Sequence, residues 1–382
     1  MILSHTERRL QKSFYVILFL IASCLSSFAQ ITNREAIVHI IFVTPADVST
    51  PAGVPQRLTQ VANAAEQFFV KWMNYWGYSA ADPNLFQRDN NGSVEVLKVH
   101  GDRPLSSGKY SNSDSVQEFI QQALHQYHLP DKQYIWWIFV YLGDRPARFQ
   151  QFLGTGNPKD GGWAIVNYDT LAGEIQPSQG LAEGFNGRYF LKGTIHELGH
   201  AFGLPHLGPD ATLALGNSLM GPTTAAYAAR KYPKPEQVYL SASAAAMLWK
   251  HPAFSGASTN EIHLPAVKLA DYKTIFDKNS NCIDISGRLI SDQTAHSVVL
   301  LDDQGRPKDE YWVQSFVGRI GTGGVFQIKI KNPTRVSGHY RILFCFDNGL
   351  VTGDGKNISF GNLGEIVKTY SYREDEFRFG DH

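Results

Sequence analysis

Hydrophobic and polar positions along the first two thirds of the chain follow patterns typical of both helices and strands. A segment that begins at Pro55 places apolar side chains three and four residues apart, which predicts an amphipathic helix. Residues 134–142 are apolar at nearly every position and predict a strand buried on both faces at the centre of a sheet. Shorter apolar runs predict strands at residues 35–43, 94–99 and 161–168. Together these patterns indicate an α+β domain.

Polar residues at the ends of apolar segments predict where further helices begin. Asp114 and Gln117 have the spacing of a capping box, which predicts the start of a second helix. A third helix is expected to begin after Gly187, where a glycine-containing stretch ends. Ser241 precedes another apolar segment, so it predicts the N-cap of a closing helix that extends to Lys250.

The pattern changes near residue 258, where helical spacing gives way to short alternating segments. Gly, Pro, Asn and Asp separate these segments, an arrangement typical of an antiparallel all-β sandwich. The predicted strands lie at residues 282–290, 297–301, 325–330 and 340–346. We therefore expect two domains, an α+β domain at residues 31–257 and a β-sandwich at residues 258–382.

The sequence HELGHAFGLPH contains the residues that carry chemistry. His196 and His200 lie one helical turn apart on a single face, so both imidazoles can bind one zinc ion. Glu197 is placed to reach water beside that ion, which is the position of a general base. Gly203 permits a left-handed turn out of the helix, and this turn brings His206 back as a third ligand. The fourth position at the metal stays open for water.

This HExxHxxGxxH pattern resembles the metzincin clan of zinc peptidases. The resemblance implies a metzincin-like catalytic domain with a mixed, mostly parallel sheet, a zinc-binding helix, Zn²⁺ as cofactor and a peptide or protein substrate. It also implies that Met220, in the stretch SLMGP where Gly and Pro shape a tight turn, lies beneath the three imidazoles. Leu207 follows the third histidine and matches none of the better-known subfamilies, so the subfamily is not assigned.

Two further expectations follow from the resemblance. Some metzincins use a tyrosine after the methionine turn to steady the oxyanion, and the first tyrosine after this turn is Tyr227. Residues 161–168 lie just upstream of the zinc helix, where the clan places an antiparallel edge strand that lines the substrate cleft. An exposed edge strand can pair with an extended peptide backbone.

Residues 1–29 have the organisation of a signal peptide. Basic residues precede a short apolar run, and small residues precede a cleavage site after Ala29. The apolar run is too short to span a membrane, and no later segment is long enough. Residues 21–24 also resemble a bacterial lipobox, in which Cys24 would become a lipidated N-terminus. We expect export to a secreted, periplasmic or cell-surface location, with cleavage after Ala29 and lipidation of Cys24 as alternatives.

Charge and cysteine content narrow the possible partners. The chain has 35 basic and 35 acidic residues, and removal of residues 1–29 leaves a slight negative excess. Nucleic acid is therefore not an expected partner, because its binding requires a basic surface. After that removal only Cys282 and Cys345 remain. They either pair in an oxidising compartment or stay free, since Cys345 lies in an alternating strand pattern.

These features predict an exported zinc endopeptidase in which Glu197 is the general base. The C-terminal region has no catalytic cluster, and its partner is unknown. Tyr311, Trp312 and Tyr340 could form a glycan- or protein-binding platform there, or could belong to the core. The alternative function is a cell-surface binding protein in which the sandwich binds its partner and the zinc domain is a structural spacer.

Overall fold

A computed structural model describes most of the chain after the N-terminal segment. The described residues are 37–80, 85–110, 113–130, 132–143, 152–168, 181, 191–257, 262–305, 310–359 and 361–380. The signal segment at residues 1–29, with Cys24 and Ala29, lies outside these ranges, as does Gly187. Residues 36–382 belong to one compact unit. No helix within the described ranges is long and apolar enough to cross a membrane.

A five-stranded mixed sheet forms the centre of the N-terminal region. Its strands are β1 (Val38–Thr44), β2 (Val96–His100), β3 (Ile135–Val140), β4 (Leu153–Asn157) and β5 (Gly161–Asn167). Their spatial order is β2-β1-β3-β5-β4, in which four strands are parallel and β4 runs antiparallel at one edge. Strand β3 is central and every residue in it is buried, as its continuous apolar pattern predicts.

The assignment of residues 161–168 as the antiparallel edge strand is wrong. These residues form β5, which lies inside the sheet and pairs in parallel with β3 on one side and antiparallel with β4 on the other. The edge strand is β4, whose sequence LGTGN contains two glycines and no β-branched residue except Thr155. Glycine is depleted in strands, so neither composition nor alternation indicates β4 from the sequence.

Helices cover both faces of this sheet. They are α1 (Val54–Tyr75), α2 (Val116–Gln126) and α3 (Leu191–Ala201). Alternate residues of β1 belong to different cores because successive side chains of a strand point to opposite faces. Ile40 and Phe42 pack in the core that includes α1 and α3, whereas Ile41 and Val43 pack in the core that includes α2.

Short elements follow α3. They are β6 (Asn217–Ser218), α4 (Thr224–Ala229), β7 (Val238–Tyr239), α5 (Ala242–Leu248) and α6 (Pro252–Ser255). The predicted cap of the closing helix is confirmed, since the Ser241 hydroxyl accepts a hydrogen bond from the Ala244 amide at 3.2 Å.

The C-terminal region consists of antiparallel strands. They are β8 (Lys268–Asp277), β9 (Cys282–Ile290), β10 (Ala295–Asp302), β11 (Gln314–Arg319), β12 (Val325–Lys331), β13 (Gly338–Phe346), β14 (Val351–Thr352), β15 (Ile358–Ser359), β16 (Asn362–Leu363), β17 (Ile366–Arg373) and β18 (Glu376–Phe379). One sheet has the order β11-β10-β13-β17-β18, with β14 also paired to β13, and a second has the order β12-β9-β8. The four strands predicted for this region are all present. Cys282 and Cys345 are buried, lie in different sheets and are free.

Strand β10 of the larger C-terminal sheet is buried on both faces. On β10, Val298 and Leu300 belong to the core shared with the three-stranded sheet. Val299 and Leu301 belong instead to the core that contains α1 and α3. The two regions therefore share hydrophobic core, and the boundary between residues 257 and 258 stays a prediction based on sequence pattern.

Glycines let α3 approach the sheet at backbone distance. A Cβ atom on Gly154 would lie 2.2 Å from the Glu197 carbonyl oxygen, and one on Gly156 would lie 2.0 Å from the carbonyl oxygen of Ala201. A Cβ atom on Gly162 of β5 would lie 2.1 Å from that same oxygen. At these three positions no side chain can stand between the strands and the helix. The glycines therefore determine how closely α3 lies against the edge of the sheet.

Gly156→Ala tests this close approach. We expect the substitution to lower the free energy of unfolding by about 2 kcal/mol, because the added methyl must displace the helix or the strand. Chemical denaturation measures the loss. Gly321→Ala is the matched control, since a Cβ atom there meets its nearest neighbour at an ordinary 3.5 Å. Equal stability of the two variants would contradict the proposed constraint.

Candidate metal centre and active site

Three histidine rings converge on one point beside α3. The Nε2 atom of His200 lies 3.0 Å from the Nε2 atom of His196 and 3.1 Å from that of His206. His196 and His200 are on the same face of the helix, as their spacing predicts. The three residues are the one group of histidine, cysteine or acidic side chains within the described ranges that is arranged to hold a metal ion.

Each ring directs its other nitrogen at an oxygen atom. The Nδ1 atom of His196 lies 2.7 Å from the Leu219 carbonyl oxygen, and that of His200 lies 2.7 Å from the Leu204 carbonyl oxygen. The Nδ1 atom of His206 lies 3.4 Å from Oε1 of Glu310. Because carbonyl and carboxylate oxygens accept hydrogen bonds, these contacts place the ring proton on Nδ1 and leave a lone pair on Nε2.

The donor set fits a zinc ion. Burial lowers the pKa of His200 and His206 to about 4 and that of His196 well below its usual value, so the rings are neutral at pH 7. Neutral imidazoles are the form that binds a metal. Tetrahedral coordination with Zn–N bonds of 2.0–2.1 Å requires nitrogen atoms about 3.3 Å apart. The Nε2 separations are close to that value.

A left-handed turn at Gly203 connects the helix to the third histidine. Gly203 has a φ of 87°, and its amide donates to the His200 carbonyl oxygen at 2.8 Å. The Leu204 amide donates to the Gly199 carbonyl oxygen at 3.0 Å. A Cβ atom on Gly203 would also lie 3.2 Å from the Gly156 carbonyl oxygen. Both the backbone angle and the neighbouring strand therefore favour glycine at this turn.

Met220 is buried against α3. Its Sδ atom lies close to Gly199, where the helix has no side chain. A Cβ atom at residue 199 would lie only 2.6 Å from the sulfur, so this packing requires glycine there. The Met220 carbonyl oxygen accepts a hydrogen bond from the Leu207 amide at 3.0 Å. The preceding carbonyl, that of Leu219, orients His196. The turn that contains Met220 thus contacts both the helix and the segment that carries His206.

Glu197 and Lys192 are charged groups buried in the same helix. Burial raises the pKa of Glu197 to about 7, and the nearby Lys192 ammonium partly opposes this shift. Burial also lowers the pKa of Lys192 to about 7. The Lys192 Nζ atom donates to the carbonyl oxygens of Gly221 and Pro222 at 3.1 and 2.9 Å. Lys192 therefore ties α3 to the residues directly after Met220, an interaction that sequence reasoning missed.

Tyr227, the tyrosine expected to steady an oxyanion, is buried with its hydroxyl already engaged. The hydroxyl donates to the Pro233 carbonyl oxygen at 2.8 Å, and the ring packs against Tyr232. The role assigned to Tyr227 stays a prediction, and this hydrogen bond disfavours it because the phenol proton is directed at a backbone carbonyl.

A different tyrosine lies against the histidines. The Tyr311 ring centroid is 4.0 Å from that of His206 and 6.2 Å from that of His196. Burial, with the negative charges of Glu310 and Glu197, raises the pKa of Tyr311, so the phenol is protonated at neutral pH. Sequence reasoning placed Tyr311 in a possible platform of the C-terminal region. No spacing rule connects it to histidines more than a hundred residues earlier.

The other two residues of that expected platform lie elsewhere. Tyr340 is buried, and its hydroxyl bonds to those of Tyr272 and Thr274. Trp312 packs under the guanidinium of Arg230, whose Cζ atom is 3.5 Å from the ring centroid. The three aromatic residues therefore do not form one platform. Tyr340 belongs to the core, as the alternative interpretation held.

Solved structures of another protein share this mixed α/β fold. No protein-family model and no curated protein matches the chain by sequence. Two crystal structures of wild-type OgpA from Akkermansia muciniphila match with TM-scores of 0.67 and 0.69, at 20% and 19% sequence identity. A third crystal structure, of catalytically inactive OgpA in complex with an O-glycopeptide (glycodrosocin) substrate, matches with a TM-score of 0.67 at 19% sequence identity. Each match covers 92% of this chain and 98–99% of the OgpA chain.

Removal of the third histidine tests the metal centre. We expect His206→Ala to weaken zinc binding by more than about 100-fold, because it removes a ligand and not merely a supporting residue. Competition against a chromogenic chelator measures the affinity. His263→Ala is the control, since His263 is an exposed histidine outside the cluster. Stoichiometric, tight zinc binding by His206→Ala would mean that the third ligand is another residue.

Proposed function

We propose that this protein is a zinc-dependent endopeptidase of metzincin type, with a catalytic domain followed by a β-sandwich. The observation that supports this most strongly is the convergence of three neutral imidazole nitrogens beside a buried glutamate. His196, His200 and His206 would bind Zn²⁺, and the open side of the metal would receive water and substrate. The likeness in fold to OgpA, which was crystallised with an O-glycopeptide substrate, supports an enzyme that acts on peptides.

Glu197 is the group that moves protons in this proposal. When bound, zinc would act as a Lewis acid that polarises the scissile carbonyl and lowers the pKa of water. Glu197 takes a proton from the attacking water and passes it to the leaving amine. A carboxyl group with a pKa of about 7 can do both near neutral pH, because neither protonation state is strongly favoured.

We further propose that the substrates are O-glycosylated peptides. Support comes from OgpA, which has a similar fold over 92% of this chain and was crystallised with an O-glycopeptide substrate. The proposal extends to export by residues 1–29, with either cleavage after Ala29 or a lipid anchor at Cys24. The mass of the mature N-terminus distinguishes these two.

The alternative of a surface binding protein with a structural zinc spacer finds less support. A structural zinc site normally completes its coordination with a fourth protein ligand. The cluster here contains three ligands within the described ranges, and Glu197 lies next to one of them with a raised pKa. Such a carboxyl group has a use in catalysis but none in a spacer.

A pair of matched peptides tests the proposal. We expect the wild-type protein to cleave a peptide that carries one O-linked glycan on Ser or Thr faster than the same peptide without it. A chelator should abolish cleavage, and zinc should restore it. Glu197→Gln should bind zinc normally yet cleave about 100-fold more slowly or worse, because it loses the base and keeps the shape.

The outcomes separate the parts of the proposal. Equal cleavage of both peptides would refute the glycan preference and leave the peptidase intact. Near wild-type turnover by a fully zinc-loaded Glu197→Gln protein would refute the role of Glu197. Zinc binding with no cleavage of either peptide would refute the peptidase activity itself.

A further inference from the structure

The third metal ligand differs from the other two in how its ring is held. His196 and His200 lie on a helix, and their Nδ1 atoms meet backbone carbonyl oxygens of residues 219 and 204. His206 lies beyond the helix, and its Nδ1 atom meets the side chain of Glu310. Helix geometry cannot orient this ring, so its orientation depends on groups outside the helix.

Residues 310–312 of the C-terminal region form a short turn that contacts His206 twice. Glu310 provides the carboxylate oxygen 3.4 Å from Nδ1. Tyr311 lays its ring over the imidazole, with the centroids 4.0 Å apart. These contacts restrict two different motions, since the polar contact with Glu310 limits rotation of the imidazole within its own plane and the aromatic contact limits tilting of the ring.

The turn is itself anchored to the chain that carries His206. The Gly208 amide donates to the Val313 carbonyl oxygen at 2.6 Å, and the Gln314 side-chain amide donates to the Pro209 carbonyl oxygen at 3.3 Å. A Cβ atom on Gly208 would lie 2.6 Å from the carbonyl carbon of Trp312, so only glycine allows this approach. Buried Val313 fixes the end of the turn in the shared core.

We propose that Glu310 and Tyr311 are positioning residues for His206, so that the C-terminal region sets the metal affinity of the site. The inference rests on the proposed zinc centre, but it concerns binding and does not require peptidase activity. A carboxylate that accepts the ring proton of a histidine ligand fixes its tautomer and increases its basicity. The C-terminal region is then part of the metal centre as well as of the fold.

Zinc affinity of metal-free protein, measured by chelator competition, tests the role of Glu310. We expect Glu310→Ala to raise the dissociation constant about 10- to 100-fold, the usual effect of losing such a partner. Glu310→Gln should lose less zinc affinity, because its amide oxygen can still accept the Nδ1 proton of His206. The side chain is 66% exposed, so the melting temperature of the metal-free protein should not change. Glu374→Ala, an exposed glutamate of the same region, is the control.

Two substitutions at Tyr311 separate the ring from the hydroxyl. Tyr311→Phe keeps the ring over His206 and should bind zinc like the wild type, whereas Tyr311→Ala should bind more weakly. Wild-type affinity in Glu310→Ala would overturn the role of Glu310. Equal weakening by Phe and Ala would overturn the positioning by the Tyr311 ring.

Failure of this inference is distinguishable from failure of the proposed function. Wild-type protein that binds no zinc would overturn the metal centre and this inference together. Wild-type protein that binds zinc but cleaves no peptide would overturn the peptidase alone, and the affinities of the variants would still decide the roles of Glu310 and Tyr311.

Discussion

The position of α3, the helix that carries His196 and His200, depends on backbone contact with the edge of the central sheet. At Gly154, Gly156 and Gly162 no side chain separates α3 from the backbone of β4 and β5. On another side of the helix, the absence of a side chain at Gly199 admits Met220. The helix is therefore held between two surfaces that allow little displacement. Because interiors are closely packed, this confinement determines where the two helical histidines can lie.

The geometry of the three-histidine cluster also depends on polar groups in a mostly buried setting. Burial keeps the three imidazoles neutral, and oxygen acceptors on their Nδ1 atoms direct the lone pairs of Nε2 inward. Lys192 bonds to the carbonyl groups after Met220 and so joins helix and turn. A buried polar group without a hydrogen-bond partner costs free energy. Each of these hydrogen bonds therefore restricts the geometry of the site.

The C-terminal sheet belongs to the same packed unit as the site. Alternate residues of β10 enter two different cores, one of which also contains α1 and α3. Arg319 of β11 extends over the Tyr78 ring, with its Cζ atom 4.1 Å from the centroid. The likeness to OgpA likewise extends across both regions. Because the two regions share a core, the turn at residues 310–312 of the C-terminal region lies within contact distance of His206.

Local signals in the sequence were enough to predict the motif, the helix that carries it, the buried strand β3, the Ser241 cap and four strands of the C-terminal region. Each depends on spacing within about ten residues, which periodicity and capping chemistry specify directly. Strand β4 was not predictable, because its glycines serve close packing against α3 and not strand propensity. The contacts of Glu310 and Tyr311 with His206 were not predictable either. Only the folded chain brings them to His206, since side chains so distant in sequence meet through the packing of whole sheets and not through any local pattern.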